Sequence, residues 1–466
     1  MAHLLIAAAH KSSGKTSITT GLSAALVRRG LGVQCFKKGP DYIDPLWLSA
    51  ASGRACRNLD FFTQSEAEIR DTFAHHATRA DISLIEANKG LHDGMNVAGN
   101  DSSAALAKLL GAPVILVIDT QGIMRGVAPL VRGYLDFDPE VHIAGVILNK
   151  VGGARHEGKL RAALEKYTDL PVLGAIGRDA GLEIPERHLG LLPANEAPEA
   201  EAMIARLADA VEKNVDLDRV LEIGNKAAPP EAVAEASPPR DPDLRIAIAR
   251  DTAFGFYYAD DLEAFAAAGA EVVFFDTIQD DKLPEADGLF IGGGFPETQM
   301  AALHGNASLR NDIREKLAAG MPAYAECGGL MYLARGIAWQ GENQEMVGII
   351  PADVVVGGKP KGRGYMLLQE SGQGLWSSVA GPSVAGEPSP ELPAHEFHYA
   401  ALENLPDRQT FAYRVKRGEG IDGAHDGLVI GNLVATFAHQ RNTAANPWVG
   451  RFTDFVRSFR DSHGAG

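Results

Sequence analysis

The chain alternates short apolar segments with helix-like segments, and this alternation limits the folds that are open to it. Before residue 180 the predicted strands span residues 4–9, 33–37, 82–86, 114–119, 143–149 and 172–175. Strands that are apolar throughout and separated by helices are typical of a parallel sheet covered on both faces. The pattern begins again near residue 245, with predicted strands at residues 245–250, 272–276, 288–291, 323–326 and 428–437. We therefore predict an α/β protein of two domains.

A different composition separates the two patterns. Residues 223–243 lack periodicity and are rich in alanine, proline and glutamate. Such a segment predicts a semi-rigid linker. A chain of 466 residues is also longer than one ordinary domain. We predict an N-terminal domain over residues 1–222 and a C-terminal domain over residues 244–466.

Charge and composition argue against several classes of protein. No apolar run is long enough to span a membrane, and the first residues show no basic segment followed by a cleavage site. The formal net charge of −16 argues against a nucleic-acid surface. The three cysteines (Cys35, Cys56 and Cys327) have no metal-binding spacing and suit a reducing compartment. We expect a soluble cytoplasmic protein with no nucleic-acid or membrane partner.

A phosphate-binding loop is predicted directly after the first strand. The strand leads into His-Lys-Ser-Ser-Gly-Lys-Thr at residues 10–16, and a helix is predicted over residues 17–29. Backbone N–H groups of such a loop bind phosphates at the N-terminus of a helix. Lys15 would reach the β- and γ-phosphates of ATP, and the Thr16 hydroxyl would bind Mg²⁺. The nucleotide-binding residues predicted in this loop are Ser13, Gly14, Lys15 and Thr16; Ala9 stands where the usual motif has its first glycine.

Charged residues end or follow the next three predicted strands. Lys37 ends the second strand and Asp41 and Asp44 follow it, Glu86 ends the third, and Asp119 ends the fourth. Open α/β sheets bind ligands at the carboxyl ends of their strands. Carboxylates at such positions commonly hold Mg²⁺ directly or through water. These residues are therefore predicted to share one site with the phosphate loop.

A second chemical site is predicted around Cys327. Residues 322–330 read Pro-Ala-Tyr-Ala-Glu-Cys-Gly-Gly-Leu, a short strand that ends in a glycine-rich turn before a helical pattern. An α/β fold presents a nucleophile in this order, because glycines allow the sharp turn. The helix N-terminus is expected to lower the pKa of the thiol. We predict that Cys327 is a catalytic nucleophile.

The other parts of this second site come from separate segments. His439 follows the strand predicted at residues 428–437 and would activate the thiol. His395 and His398 are rival candidates for this role, and strand alternation places Glu396 and His398 on one face. The oxyanion hole is predicted from three backbone N–H groups, those of Gly293, Gly294 and Gly328.

These residues carry a resemblance to a known family. Over nearly its full length the chain resembles the cobyrinate a,c-diamide synthases. The most specific matching segment is residues 37–45, and the others are residues 57–60, 86–94, 145–149, 292–297, 326–330 and 395–399. The resemblance implies an N-terminal ATP-binding domain related to dethiobiotin synthetase and a C-terminal class I glutaminase-like domain. It implies an enzyme that amidates peripheral carboxylates of a tetrapyrrole with glutamine, ATP and Mg²⁺.

The resemblance also implies roles for individual residues of the first domain. Lys37 is expected to touch phosphate or substrate. Asp44 and Glu86 are expected to help hold Mg²⁺ together with Thr16, and Asp41 is the weaker of the two loop acids. Asn149 is expected to lie near the adenine.

The chain departs from the family pattern in two places. Its phosphate loop is one residue shorter than the common form, and His439 is followed by Gln440 and Arg441. Arg441 stands where other class I glutaminases place the acid that orients the histidine. Two like charges repel, so Arg441 is predicted to point away from the imidazole, with Cys327 and His439 acting as a dyad. These departures suggest a subfamily that amidates siroheme as an alternative to cobyrinate.

The chemistry that these parts imply needs both domains. Phosphoryl transfer from ATP turns a carboxylate into an acyl phosphate, which ammonia can attack. Attack of Cys327 on the amide of glutamine forms a thioester and releases that ammonia. The partners predicted are glutamine and a tetrapyrrole carboxylate, with a homodimer as one assembly considered.

Two further interpretations stay open at this point. The first domain would act as a switch-type P-loop ATPase if the second were a degenerate glutaminase-like binding module. Retention of Cys327 beside a glycine-rich turn argues against that interpretation. A free-standing glutaminase is disfavoured by the phosphate loop.

Overall fold

The computed structural model describes residues 2–187, 190–229, 240–376 and 390–463. The chain divides into two compact units, Met1–Glu235 (unit 1) and Ala236–Gly466 (unit 2). The predicted two-domain α/β architecture is confirmed. Residues 230–239 of the predicted linker lie outside the described residues. The linker was predicted to begin at residue 223, but residues 223–225 form the end of a helix.

In the described part of unit 1, a seven-stranded parallel sheet forms the centre. Its strands are β1 (Ala2–Ala8), β2 (Val33–Lys38), β3 (Arg57–Leu59), β4 (Ile82–Glu86), β5 (Val114–Asp119), β6 (Ile143–Val151) and β7 (Val172–Gly177). The spatial order is β3-β2-β4-β1-β5-β6-β7. The chain therefore moves from β1 to one side of the sheet and later to the other, which creates a crevice at the carboxyl ends of the central strands.

Helices cover both faces of this sheet. They are α1 (Lys15–Arg28), α2 (Ile43–Ser52), α3 (Glu66–Ala77), α4 (Ser103–Leu110), α5 (Val127–Phe137), α6 (Ala154–Tyr167), α7 (Ala200–Asn214) and α8 (Leu217–Asn225). A 3-10 turn (Ala180–Leu182) and a short pair, β8 (Glu186–Arg187) and β9 (Gly190–Leu191), complete the described elements of unit 1. Alternate residues of β1 enter two hydrophobic clusters, Leu5 on one face and Leu4 and Ile6 on the other. This burial on both faces explains why its strands are apolar throughout.

Unit 2 is built on a mixed sheet. Its described strands are β10 (Leu244–Ala249), β11 (Phe254–Phe256), β12 (Ala270–Phe275), β13 (Gly288–Ile291), β14 (Gly293–Gly294), β15 (Ala323–Glu326), β16 (Ala334–Trp339), β17 (Glu342–Glu345), β18 (Ile350–Val356), β19 (Gly362–Glu370), β20 (Glu391–His398), β21 (Ala400–Glu403), β22 (Thr410–Arg417), β23 (His425–Ile430) and β24 (Leu433–Thr436). Nine of them form one sheet in the order β12-β10-β13-β15-β24-β23-β22-β19-β20, parallel from β12 to β24 and antiparallel beyond.

The helices of unit 2 pack against its parallel half. They are α9 (Ala259–Ala267), α10 (Met300–Gly305), α11 (Ala307–Ala318), α12 (Gly328–Leu333) and α13 (Trp448–His463), with a 3-10 turn at Pro296–Thr298. Strands β17, β16, β18 and β21 form a smaller sheet, and β11 pairs with β14. None of the helices in the described part of the chain combines the length and the apolar character needed to cross a lipid bilayer.

The single strand predicted over residues 428–437 is wrong. The structure has a hairpin there, in which β23 and β24 pair in an antiparallel manner. Gly431 adopts a φ of 56° at the turn, a conformation that favours glycine, and the side chain of Asn432 donates to the carbonyl of Gly320 at 2.7 Å. The hairpin puts β24 in the parallel part of the sheet beside β15, so the segments that carry Cys327 and His439 leave the sheet side by side.

Candidate functional site

The phosphate loop of unit 1 lies between β1 and α1. Gly14 occupies the N-cap of α1 with a φ of 87°, and a side chain there would overlap the amide of Asn149. That amide donates to the carbonyl of Ser13 at 2.9 Å. The hydroxyl of Ser13 donates to the carbonyl of His10 at 2.8 Å, which curls the loop on itself. Glycine is thus required at position 14, and the end of β6 fixes the loop.

A buried cluster of charges lies beside this loop. The ammonium of Lys37 donates to Asp44 at 2.5 Å and to Glu86 at 2.9 Å, and the hydroxyl of Thr16 donates to Glu86 at 2.8 Å. Lys37 and Glu86 are almost completely buried. Strands β2 and β4 are neighbours, with Lys37 opposite Glu86, which explains how two distant segments deliver these groups. The structure therefore brings together Lys37 and the three residues predicted to hold Mg²⁺.

Burial and mutual charge set the ionisation of the cluster. Burial disfavours the charged form of Lys37, but Asp44 and Glu86 outweigh it and raise its pKa. Burial also opposes the charge on Asp44, and the Lys37 ammonium overcomes this and lowers the pKa. For Glu86 burial prevails and raises the pKa. Burial lowers the pKa of Lys15 to about 8, and the charge of Lys37 acts in the same direction.

The remaining acids of this edge have other partners. Asp41 accepts from the backbone N–H groups of Ile43 and Asp44 at the start of α2. Burial, with the charge of Asp44, raises the pKa of Asp41 to about 7. Asp119 pairs with Lys150 at 2.9 Å, and Lys150 also donates to the carbonyl of Ser12 at 3.2 Å. These contacts shape the rim of the crevice.

In unit 2, Cys327 lies at a sharp turn between β15 and α12. Its φ is 46° and its ψ is −102°, an uncommon conformation for a residue with a side chain. The second residue after it must be glycine, since a Cβ on Gly329 would overlap Ile291, and a Cβ on Gly328 would lie only 3.0 Å from the backbone of Gly294. The backbone N–H of Cys327 donates to the carbonyl of Thr436 at 2.7 Å. This geometry resembles a nucleophile elbow.

The thiol of Cys327 differs from the sequence expectation in its ionisation. Burial raises its pKa, and the buried carboxylate of Glu297 raises it further. The expectation of a lowered pKa is therefore wrong. Helix α12 has only six residues, and its N-terminal field does not offset the loss of solvent around the sulfur.

The glycines predicted as an oxyanion hole are close together. Gly293 and Gly294 form β14, and Gly294 lies against Gly328 as described above. A Cβ on Gly293 would lie 2.5 Å from Cε1 of His439. The structure thus brings the three glycines close to the predicted histidine, and Gly328 directly follows Cys327 in the chain.

His439 is buried and held from several sides. Its backbone N–H donates to the carbonyl of His395 at 2.7 Å, and the N–H of His395 donates back at 3.2 Å. The two imidazoles stack with centroids 4.8 Å apart. Nδ1 of His439 lies 3.6 Å from a carboxylate oxygen of Glu326. Sequence reasoning treated His395 as a rival and missed Glu326, although Glu326 directly precedes Cys327.

Arg441 contacts Asp260 and Tyr258. Its buried guanidinium donates to Asp260 at 2.8 Å and lies over the ring of Tyr258, 5.0 Å from the centroid. The hydroxyl of Tyr258 lies 3.2 Å from Nδ1 of His395. Arg441 therefore supports the wall behind His395. The other histidine candidate, His398, lies 3.6 Å from Glu396 and stacks on Phe437.

Comparisons with known proteins agree with this division into two sites. A family described as "CobQ/CobB/MinD/ParA nucleotide binding domain" matches residues 4–192, and one described as "CobB/CobQ-like glutamine amidotransferase domain" matches residues 245–447. Each match falls within one unit and contains its candidate site.

Curated relatives named "Cobyrinate a,c-diamide synthase" are similar to the chain over almost all of its length. The relative from Magnetococcus marinus is 45% identical, and the alignment covers 97% of this chain and 97% of the relative. Relatives from Methanosarcina barkeri and Archaeoglobus fulgidus are each 39% identical, covering 98% and 94% of this chain and 97% and 93% of their own lengths. The chain belongs to the cobyrinate a,c-diamide synthase family.

Proposed function

We propose that this protein converts peripheral carboxylates of cobyrinate into carboxamides, with ATP as the activating substrate and glutamine as the nitrogen donor. The observation that carries the proposal is the strained turn at Cys327 in a chain that also holds a phosphate loop. A nucleophile for amide hydrolysis and a site for phosphoryl transfer are the two halves of glutamine-dependent amidation. The relatives' printed name supplies the substrate.

Unit 1 would activate the carboxylate. Backbone N–H groups at Ser13 and Gly14 and the side chain of Lys15 bind the phosphates of ATP. A carboxylate oxygen of the substrate attacks the γ-phosphorus, ADP leaves, and an acyl phosphate forms. Lys37, buried beside this loop, balances the charge of the carboxylates around it. Ammonia then attacks the acyl carbon, a C–N bond forms, and phosphate leaves.

The oxygen donors of unit 1 suit Mg²⁺. Thr16, Asp44 and Glu86 provide one hydroxyl and two carboxylates, the hard ligands that this ion prefers. The buried Oε2 of Glu86 accepts no hydrogen bond from the described residues, so it can receive a ligand. These three residues would hold the ion, which neutralises phosphate charge when it is bound. Asn149 holds the loop through Ser13, and its predicted proximity to adenine remains part of this proposal.

Unit 2 would supply ammonia from glutamine. Because the pKa of the Cys327 thiol is raised, its proton must pass to His439 as the sulfur attacks the amide carbon. The C–N bond then breaks, His439 returns the proton to the leaving ammonia, and water hydrolyses the thioester to glutamate. Backbone N–H groups of Gly293, Gly294 and Gly328 would stabilise the oxyanion.

This chemistry also bears on where the protein works. The thiols of Cys35, Cys56 and Cys327 are all free, as is usual for proteins of a reducing compartment. We infer the cytoplasm on that ground. A homodimer, considered from the sequence, stays a prediction.

The siroheme alternative is not favoured by the comparisons, since the relatives described above carry cobyrinate in their names. A switch-type ATPase with a degenerate second domain is disfavoured by the intact grouping of Cys327, His439 and the glycine turn.

A parallel incubation tests the proposal. The protein is given ATP, Mg²⁺ and glutamine together with either cobyrinate or siroheme, and the products are read by mass spectrometry. Cobyrinate is expected to gain carboxamides, and omission of ATP or Mg²⁺ should stop the reaction. Amidation of siroheme alone would replace the substrate in the proposal, and no amidation of either would contradict it.

Substitution of Gly293 by alanine is expected to slow glutamine hydrolysis strongly. The new methyl group would lie 2.5 Å from Cε1 of His439, so the imidazole must move. A misplacement of about 1 Å at a catalytic group costs roughly 10²-fold in rate. The measurement is glutamate release, compared with amidation driven by ammonium salts, which should continue.

Gly450→Ala provides the matched control for this substitution. Gly450 lies in α13, and a Cβ there would meet no atom within 4 Å. The control should keep both activities. If Gly293→Ala hydrolyses glutamine at the parent rate, the assigned place of the imidazole is wrong.

A further inference from the structure

The imidazole of His439 faces a carboxylate that comes from the residue before the nucleophile. Oε2 of Glu326 lies 3.6 Å from Nδ1 of His439, and both side chains are 3% exposed. This separation exceeds a hydrogen bond, yet catalytic contacts are often long before substrate binds and shorten in the complex.

The carboxylate of Glu326 has a fixed orientation. Its Oε1 accepts from the hydroxyl of Tyr324 at 2.8 Å and from the backbone N–H of Gln440 at 2.8 Å. Gln440 follows His439 in the chain, so the bond from its N–H group also fixes the position of His439 relative to β15. One oxygen is therefore used for anchoring, and the second is turned toward the imidazole.

The imidazole of His395 packs against one face of the His439 ring. The two rings are nearly parallel, at 18°, and their backbones exchange two hydrogen bonds. Burial lowers the pKa of His395 well below its usual value, and the charges of His439 and Arg441 act in the same direction. His395 is thus a neutral, flat surface that restricts rotation of the His439 ring.

We propose that Glu326 is a positioning residue for His439 in glutamine hydrolysis. Its Oε2 accepts a hydrogen bond from Nδ1–H, which leaves Nε2 unprotonated and able to remove the proton of the Cys327 thiol. The imidazolium that forms is stabilised by the same carboxylate until Nε2 returns the proton to the leaving ammonia. This inference rests on the proposed glutaminase function of unit 2.

The position of Arg441 is consistent with this assignment. The arginine that stands two residues after His439 is engaged with Asp260 and the ring of Tyr258. The carboxylate that orients the histidine therefore comes from β15, one residue before the nucleophile, and completes Cys327 and His439 as a triad.

Glu326→Gln separates positioning from structural support. Glutamine can still accept at the anchored oxygen from Tyr324 and Gln440, but its NH₂ group would donate to Nδ1 of His439. The ring proton then moves to Nε2, which can no longer act as a base. We expect kcat for glutamine hydrolysis to fall by about 10²-fold or more, with KM for glutamine unchanged. Amidation driven by ammonium salts should be unaffected.

Nitrogen-15 NMR of labelled histidine gives a readout that a structural role would not change. The His439 signals are those lost in His439→Asn, and they should report a proton on Nδ1 in the parent and on Nε2 in Glu326→Gln. Asp422→Asn is the matched control, because one oxygen of Asp422 accepts from the backbone N–H groups of Ala424 and His425 and the other lies 3.0 Å from Nδ1 of His425. It should keep the parent kcat.

Four outcomes distinguish the role of Glu326 from the proposed function of unit 2. Parent-like kcat in Glu326→Gln, or a lowered kcat without a change of tautomer, would overturn the role of Glu326. Glutamine hydrolysis that survives in Cys327→Ser would instead overturn the proposed function of unit 2. Loss of glutamine hydrolysis with the tautomer moved to Nε2 supports the role of Glu326.

Discussion

Replacement of Cys327 by serine is expected to abolish glutamine-dependent amidation and to leave ammonium-dependent amidation at the parent rate. In the proposed mechanism the thiol makes ammonia but takes no part in activating the tetrapyrrole carboxylate. Serine is similar in size to cysteine and fits the same turn, so a loss of activity in the variant is due to the missing thiol and not to misfolding. Removal of a nucleophile that acts with a base lowers the rate by at least about 10⁴-fold. Carboxamide formation with glutamine or with ammonium chloride is measured by mass spectrometry.

The control for this variant is Cys56→Ala, which removes a buried thiol from unit 1. It should retain both activities. If Cys327→Ser loses ammonium-dependent amidation while its circular dichroism spectrum and melting temperature match the parent, the thiol has a role in the amidation step and the division of labour is wrong.

Substitution of Lys15 by alanine is expected to stop amidation with either nitrogen source. Without its ammonium the γ-phosphate is not held for attack, and no acyl phosphate forms. Lys15 is 7% exposed and lies close to Lys37, Asp44 and Glu86, so water cannot easily replace its charge. Removal of one preorganised charge from a transition state costs about 10²-fold or more. The rate of ADP release in the presence of cobyrinate is the direct measurement.

Lys108→Ala controls for the loss of a lysine from unit 1. Lys108 is partly exposed and pairs with Asp138 and Glu140 on the surface, where such pairs contribute little. Its amidation rate should equal that of the parent. Ammonium-dependent turnover that persists in Lys15→Ala would show that this loop is not the ATP site.

The parallel core of each unit could be predicted from the sequence because burial on both faces makes these strands apolar. Residues 82–86 and 114–119 were predicted with the bounds that β4 and β5 have. Strand β3 was missed, since Arg57 and Asn58 are polar. Asn58 is buried because its amide donates to the carbonyls of Gly39 and Asp41, a tertiary contact that periodicity cannot reveal.

The antiparallel half of unit 2 was harder to predict for a related reason. Its strands carry polar residues, and the turn at Gly431 interrupts an apolar run that otherwise looks continuous. The register of that hairpin decides where His439 lies.

The residues of the candidate sites were predictable where a motif carries them. Thr16, Lys37, Asp44 and Glu86 were predicted to share a site because they lie at the carboxyl ends of parallel strands, and the family resemblance supplied their roles; the structure groups them. Glu326 was not identified, because its approach to His439 depends on the pairing of β15 with β24 and on the anchor at Gln440. Their catalytic roles stay predictions until the variants are measured.

The backbone of Cys327 has an evolutionary consequence. A non-glycine residue at a φ of 46° costs about 1–3 kcal/mol, and glycine would adopt the same turn at less cost. Selection for thermal stability alone would therefore favour glycine at this position. The resulting protein would be more stable but, under the proposed function, would release no ammonia from glutamine. If Cys327 is the nucleophile proposed above, its loss in a lineage would mark a change in nitrogen supply rather than damage to the fold.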